Sequence, residues 1–270
     1  MLKKLFDKNT NRTITQGAPV YLAPPIVAVL GAKGGVGTTS IAVNLAAAIA
    51  STGVPTTILD ANLQQPDVAH MVGTEPEHSL MELLNRGCQL DKQVFEACSV
   101  PLAGSHFNLN LLSPPLDGNI AISANLSQLA ECLNSIRSYS SFWILDLPRH
   151  IDKHLVTLID MCDKIILVFE ATLAGVATCR RWLNIFGELG YDEEKIICVL
   201  NRAGSKYAGV EQQLSQCFTS ETVFRVPNAS SIAWQCSTRG IPIVLAEPNH
   251  KYSQTLIEIA QYLNQSFLER

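Results

Sequence analysis

The sequence GAKGGVGTTS at residues 31–40 decides how the rest of the chain is interpreted. The apolar run PPIVAVL, ending at Leu30, precedes it, and the alanine-rich run IAVNLAAAIAS follows it. The first run predicts a buried strand and the second predicts a helix. A glycine-rich turn between a strand and a helix is the context that a phosphate-binding loop requires.

The glycines allow the backbone N–H groups of this loop to face an anion. Gly34, Gly35 and Gly37 have no β-carbon, so the chain can curl around a phosphate group, and the positive end of the following helix adds to the attraction. A purely structural glycine turn is the alternative. We predict that the loop binds a nucleotide through Gly34, Gly35, Val36, Gly37, Thr38, Thr39 and Ser40, with the hydroxyl of Thr39 on Mg²⁺.

The loop departs from the standard pattern G-x-x-x-x-G-K-[ST] at one position. Thr38 stands where the lysine follows the last glycine, and a lysine occurs earlier instead, at Lys33. This resembles the deviant Walker A loop of the MinD/ParA ATPases, and most closely that of the TadZ/CpaE branch, which positions the machinery of Flp/Tad-type pili. The resemblance implies that Lys33 reaches across a dimer interface to the nucleotide of the partner subunit.

Apolar strand-like runs alternate with helical patterns from Ile26 onward, which predicts a mostly parallel, doubly wound α/β sheet flanked by helices. We expect a flexible arm over residues 1–25 and a single domain over residues 26–270. The resemblance covers the domain and implies a P-loop NTPase of the SIMIBI type. The predicted strands are Ile26–Leu30, Thr56–Leu59, Phe107–Leu112, Phe142–Leu145, Lys164–Phe169, Lys195–Leu200 and Thr222–Val226. The predicted helices are Thr39–Ala50, Leu80–Asn85, Leu126–Arg137, Val176–Leu189, Val210–Cys217 and Gln254–Phe267.

A carboxylate directly follows two of these strands. Asp60 and Asp146 are each placed to hold Mg²⁺ or a water bound to it, and Thr39 is expected opposite Asp146. By resemblance Asp60 begins the A′ segment, whose second acidic position is Asn62 here, and Asp146 is the Walker B residue of the run DLPR. We therefore predict catalytic roles for Lys33, Asp60, Asn62 and Asp146, with slow turnover because an amide cannot accept a proton.

Two further positions resemble the segments that recognise adenine in this family. Asn201 and Arg202 close a predicted strand, and Pro227 closes the next one before a helix. An asparagine can donate to and accept from a base edge, although at the end of a strand it is more often a turn former.

Composition limits the classes of partner. The chain has 47% hydrophobic and 16% charged residues and a net charge of -4, so we expect a buried core and no broad surface that binds DNA or other nucleic acids, with a local basic patch as the open alternative. Its eight cysteines form no C-x-x-C pair, and no transmembrane segment or signal peptide is evident. We expect a cytoplasmic protein that reaches the cell pole or the inner-membrane face only through partners.

The leading functional interpretation is a homodimeric switch that binds ATP and Mg²⁺ and recruits pilus or secretion assembly proteins, with weak ATPase activity at most. The alternatives are a ParA-like partition ATPase, a flagellar-number regulator of the FlhG type, a metal-inserting ATPase with cysteines at the dimer axis, and a scaffold that does not hydrolyse ATP.

Overall fold

A computed structural model of the protein describes residue 21 and residues 23–86, 91–102, 107–116, 126–204 and 223–268. Its strands are β1 (Ile26–Gly31), β2 (Thr56–Asp60), β3 (Val100–Pro101), β4 (Leu109–Leu112), β5 (Phe142–Asp146), β6 (Lys164–Glu170), β7 (Ile196–Ala203) and β8 (Val223–Pro227). They form one sheet in the order β3-β4-β2-β5-β1-β6-β7-β8. β3 runs antiparallel to β4, whereas the other pairings are parallel. The predicted mostly parallel sheet is confirmed.

Helices cover both faces of the sheet. Those described are α1 (Thr38–Ala50), α2 (Val68–Met71), α3 (Leu80–Arg86), α4 (Lys92–Cys98), α5 (Leu126–Ile136), α6 (Lys153–Asp160), α7 (Leu173–Glu188), α8 (Ser230–Thr238), α9 (Ile243–Ala246) and α10 (Lys251–Leu268). Helices α3 to α7 pack in one core, and α1, α2 and α8 to α10 pack in the other. In the described part of the chain, no helix is both long and apolar enough to span a membrane.

The two cores follow from the alternation of side chains along each strand. In β1, Ile26, Ala28 and Leu30 belong to one core, and Val27 and Val29 belong to the other. A strand buried on both faces must be apolar throughout, and this is why β1 could be recognised in the sequence. The predicted doubly wound arrangement is confirmed.

The predicted elements differ from the structure mainly at their ends. The helix predicted from Val176 begins at Leu173, because the hydroxyl of Thr172 accepts the N–H of Gly175 at 3.0 Å and caps it. The helix expected after Pro227 is α8. Strand β3 and helices α2, α4, α6 and α9 were not predicted; most of these are short, so they contain too few residues for a hydrophobic period. The helix predicted over Val210–Cys217 lies outside the described residues.

The expected arm over residues 1–25 can be compared with the structure only near its end, since residues 1–20 and 22 lie outside the described residues. Tyr21 packs on the domain: its hydroxyl donates to Oδ1 of Asn264 at 2.8 Å, and its ring meets those of Phe142 and Phe267 edge to face. The packed part of the chain therefore begins before Ile26.

Buried Asn44 connects α1 to α9. Its Nδ2 donates to the carbonyl of Ser40 at 2.8 Å, and its Oδ1 accepts the backbone N–H of Val244 at 3.0 Å. We expect Asn44→Ala to lower the free energy of unfolding by about 1–3 kcal/mol, because the N–H of Val244 loses its partner inside the core. Urea denaturation followed by circular dichroism measures the change.

Asn184→Ala is the matched control, since Asn184 lies on the exposed side of α7. We expect its effect to stay within about 0.5 kcal/mol. Equal effects of the two substitutions would contradict a structural role for the Asn44 amide.

Candidate functional site

The glycine-rich loop joins β1 to α1 in a conformation that requires glycine. Gly35 and Gly37 have φ angles of 77° and 88°, in the left-handed region that other residues rarely adopt. A β-carbon at Gly37 would also overlap Nδ2 of Asn201. The loop therefore brings its backbone to the beginning of α1, where N–H groups are free to bind an anion.

Thr39 and Asp146 meet beside this loop, as predicted. The hydroxyl of Thr39 donates to Oδ2 of Asp146 at 2.7 Å. Their approach follows from the sheet, in which Asp146 at the end of β5 pairs with Val29 of β1. A hydroxyl and a carboxylate oxygen form a donor set suited to Mg²⁺.

Asp60 lies next to Asp146 in the register of β2 and β5 but is fully buried. Its carboxylate accepts backbone N–H groups of Asn62 at 3.0 Å, Asp67 at 3.0 Å and Val68 at 3.1 Å. It thus holds the segment after β2 and the start of α2 in place. A direct role of Asp60 on the metal stays a prediction.

The two buried carboxylates have shifted pKa values. Burial raises the pKa of Asp60 to about 7, against the lowering effect of its backbone hydrogen bonds. Burial, and secondarily the charge of Asp60, raises the pKa of Asp146 well above its usual range, while the Thr39 hydrogen bond lowers it. Two adjacent buried acids disfavour their charged forms, and a divalent cation would relieve this cost. The residues present therefore fit a Mg²⁺ ion.

Asn62 also lines the cleft above the loop, but its side-chain amide already makes a hydrogen bond within its own segment. Its Nδ2 donates to the carbonyl of Gln65 at 2.7 Å and closes a turn. Asp67 is the exposed acid that lines the cleft in this segment, and it was not among the predicted site residues. Its signal in the sequence was its position as the next acid after Asp60.

Lys33 and Arg202 share one carboxylate at the rim of the cleft. Lys33 Nζ lies 3.5 Å from Oε2 of Glu170, and Nη1 of Arg202 donates to Oε1 of the same residue. Lys33 and Arg202 are partly exposed, so solvent weakens both pairs. Glu170 was missed because the predicted strand ended one residue before it. Arg202 has a φ of 54°, the one positive value among the described non-glycine residues.

The cleft has a volume of about 930 Å³ and adjoins a smaller pocket of about 270 Å³. The loop and the segments after β2 and β5 line the cleft, and the mainly apolar pocket lies between α1, α8 and α9. Gly37 and Ser40 line both, so the two spaces form one continuous surface. The indole of Trp234, which is 70% exposed, lies at the pocket and was not predicted from the sequence.

The residues predicted to recognise a base lie around the smaller pocket. Asn201 and Arg202 line it, and Pro227 ends β8 one residue before Asn228, which also lines it. Nδ2 of Asn201 donates to the carbonyl of Val36 at 2.8 Å, so Asn201 supports the loop from below. This contact between β7 and the loop was not predicted.

Val36 and the hydroxyl residues of the loop occupy different surroundings. The Val36 side chain is buried in the core, so only its backbone is available to a ligand. Thr38 turns its hydroxyl toward Gly31, and Ser40 Oγ lies 3.3 Å from the hydroxyl of Tyr252. Ser40 and Thr38 both line the cleft.

Comparisons with known proteins bear on this geometry. Residues 24–102 match a family model described as ParA: NUBPL iron-transfer P-loop NTPase. An uncharacterized ATP-binding protein of Methanocaldococcus jannaschii is 23% identical over 90% of this chain and 89% of its own length. A ParA family ATPase from Chlorobium tepidum has a TM-score of 0.78 at 20% identity, covering 89% of this chain and 100% of that one.

The protein has the fold of the MinD/ParA P-loop NTPases. A further solved structure with this fold is the septum site-determining protein MinD of Pyrococcus horikoshii, complexed with Mg-ADP. Its TM-score is 0.72 at 20% identity, over 88% of this chain and 95% of that chain. At these identities the comparisons establish the MinD/ParA fold and leave the TadZ/CpaE branch as a prediction.

Cysteine positions bear on the metal-inserting alternative within this fold. The six cysteines in the described ranges are buried, in both cores of the sheet, whereas Cys88 and Cys217 lie outside those ranges. The Cys162 thiol is buried and donates to the carbonyl of Leu158 at 3.2 Å, and burial raises its pKa to about 12. Cys162 is therefore a core residue.

The contact between Asn201 and Val36 predicts a measurable change in the loop. We expect Asn201→Ala to accelerate amide hydrogen exchange at residues 32–37 by about 5–30-fold, since losing one hydrogen bond costs about 1–2 kcal/mol of local stability. Hydrogen–deuterium exchange with mass spectrometry on the nucleotide-free protein measures it.

Asn228→Ala is the matched control, because Oδ1 of Asn228 accepts the N–H of Ser230 at the start of α8. We expect faster exchange at the start of α8 and no change in the loop. Unchanged loop exchange in Asn201→Ala would contradict the supporting role of Asn201.

Proposed function

We propose that the protein is an ATP-binding, dimeric switch that localises or helps to assemble a Flp/Tad-type pilus machine and hydrolyses ATP slowly or not at all. The observation that carries this proposal is a glycine loop in phosphate-binding geometry with Lys33 at its rim and Thr38 at the usual lysine position. The run DLPR at residues 146–149 supports the assignment to the TadZ/CpaE branch through its resemblance.

The shape of the site suggests how ATP lies. Its phosphates would face the loop and the beginning of α1, and its base would enter the apolar pocket next to Trp234 and Asn201. Thr39 and Asp146 would hold Mg²⁺, which supplies positive charge to the phosphate oxygens.

Lys33 is the residue that would connect two subunits. Its side chain is 37% exposed and is held in its own protomer by Glu170 alone among the described residues. An exposed ion pair of this kind contributes little, so the phosphate of a second nucleotide can compete for the lysine. A dimer promoted by ATP follows, and its newly formed surface would recruit the pilus proteins at the cell pole or inner-membrane face.

Slow hydrolysis follows from the groups around the phosphates. Thr38 adds no positive charge, and the amide of Asn62 closes a turn and cannot accept a proton from water. Few fixed charges therefore face the negative charge that develops during phosphoryl transfer.

The deciding experiment measures ATP binding, phosphate release and oligomeric state on the purified protein and on Lys33→Ala. We expect Mg²⁺-dependent ATP binding, little phosphate release and a dimer in light scattering that Lys33→Ala weakens. Lys92→Ala, at an exposed lysine of α4 away from the cleft, serves as the charge-matched control.

The outcomes separate the candidate functions. Brisk phosphate release would favour a cycling ATPase like MinD or ParA, and no ATP binding would overturn the switch. The pilus assignment is tested by deleting the gene: we expect surface pili to disappear, and normal pili would contradict it.

The conformation of the loop makes a second prediction. We expect Gly37→Ala to abolish ATP binding, because an L-residue is strained at a φ of 88° and its β-carbon would displace Asn201. Isothermal titration calorimetry measures binding, and far-UV circular dichroism shows whether the protein is folded.

Gly187→Ala is the control, since a β-carbon at Gly187 in α7 meets no atom within 4 Å. We expect normal ATP binding and a stability gain of about 0.5–1 kcal/mol from the helix propensity of alanine. Normal ATP binding by Gly37→Ala would show that the phosphates do not depend on this turn.

A further inference from the structure

The phosphate loop has no cation of its own at the position where a lysine is usual. Thr38 occupies that position, and a β-carbon at Gly31 would overlap its Oγ1. The hydroxyl is thus turned toward the end of β1. A bound triphosphate would therefore need a positive charge from another segment.

Arg149 reaches the loop from the segment that follows β5. Its guanidinium lies so close to Gly34 that a β-carbon there would overlap Nη1 and stand 3.0 Å from Cζ. Arg149 and Gly34 both line the large cleft. The absence of a side chain at Gly34 is what allows the guanidinium to lie on the loop backbone.

The charge of Arg149 is uncommitted. Lys33 and Arg202 at the same cleft are both paired with Glu170, whereas Arg149 has no ion-pair partner among the residues that the structure describes. Its side chain is exposed and meets the loop at its outer edge. A guanidinium remains charged at any physiological pH and presents a planar set of donors that matches phosphate oxygens.

The position of Arg149 along the cleft indicates which phosphate it would meet. Gly37 and Ser40 line both the cleft and the base-sized pocket, whereas Gly34 lines the cleft alone. A nucleotide whose base enters that pocket therefore extends its phosphate chain from Gly37 toward Gly34. Arg149 lies at the far end of this path.

We propose that Arg149 binds the terminal phosphate of ATP. Its guanidinium would supply the positive charge that a lysine supplies in the standard loop, at the position that Thr38 occupies here. This inference rests on the proposed ATP-binding function and deepens it. Because Arg149 stands in the segment after Asp146 rather than on the loop, the contact couples the terminal phosphate to the conformation of residues 147–150. ADP lacks that phosphate and leaves Arg149 without a partner.

Isothermal titration calorimetry of the full chain with ATP and with ADP tests the proposal. We expect Arg149→Ala to weaken ATP binding by about 10- to 100-fold, the usual effect of losing a charged hydrogen bond, and to change ADP binding less than about 2-fold. Arg149→Lys should recover part of the loss, since it keeps the charge without the planar donors. Arg180→Ala, at an exposed arginine of α7 away from the cleft, is the control and should change neither affinity.

A compensating substitution makes the test specific. Thr38→Lys introduced into Arg149→Ala should restore ATP binding, because it returns a cation to the loop. Equal losses for ATP and ADP, or unchanged ATP binding in a folded Arg149→Ala protein, would overturn this inference and leave the proposed function intact. Failure of the unmodified protein to bind ATP would instead overturn the proposed function.

Discussion

The central constraint in this structure is the burial of β1 between two parallel neighbours. β1 pairs with β5 on one side and with β6 on the other, and its side chains are removed from water on both faces. The carboxyl ends of parallel strands lie at one edge of the sheet. The pairing of the strands is therefore enough to bring Gly31, Asp146 and Glu170 to the same side. The cleft lies at the end of β1, where the chain connections run to opposite sides of the sheet. Ligands usually bind at this point in such sheets.

The charged residues at that edge lie at two levels, a buried lower level and an exposed upper level. The free-energy cost of placing a charge differs between the two. Asp60 and Asp146 lie at the base, where burial disfavours their charged forms, and backbone or hydroxyl donors partly offset that cost. Lys33 and Arg202 lie at the rim, where water makes pairing with Glu170 weak. A metal ion suits the lower level and phosphate oxygens suit the upper one. Residues that reduce stability in this way are expected at a functional site.

Structure could be predicted from the sequence where a physical constraint can be met by only one type of residue. The strands could be predicted because burial on two faces requires continuous apolar runs, and the loop could be predicted because Gly35 and Gly37 adopt angles that need glycine. Contacts between distant segments were not predictable in this way. No local pattern shows that Asn201 supports Val36, that Glu170 holds two cations, or that the Asp60 carboxylate binds three backbone N–H groups. These contacts depend on which strands become neighbours, and the order of the sheet decides that.

For a conformational switch, the segment that carries the phosphate-binding cation matters more than the strength of the contact with phosphate. A lysine at position 38 would lie at the start of α1, which is buried along most of its length and has little freedom to respond. Arg149 lies on an exposed segment after Pro148, so ordering it around a phosphate costs conformational entropy and lowers affinity. A ligand changes a conformational equilibrium only by its differential affinity for the two states, and a contact made by this exposed segment would supply that difference. If ATP is hydrolysed slowly, as proposed, a lower affinity would also let the nucleotide dissociate, so the switch would reset by dissociation instead of hydrolysis.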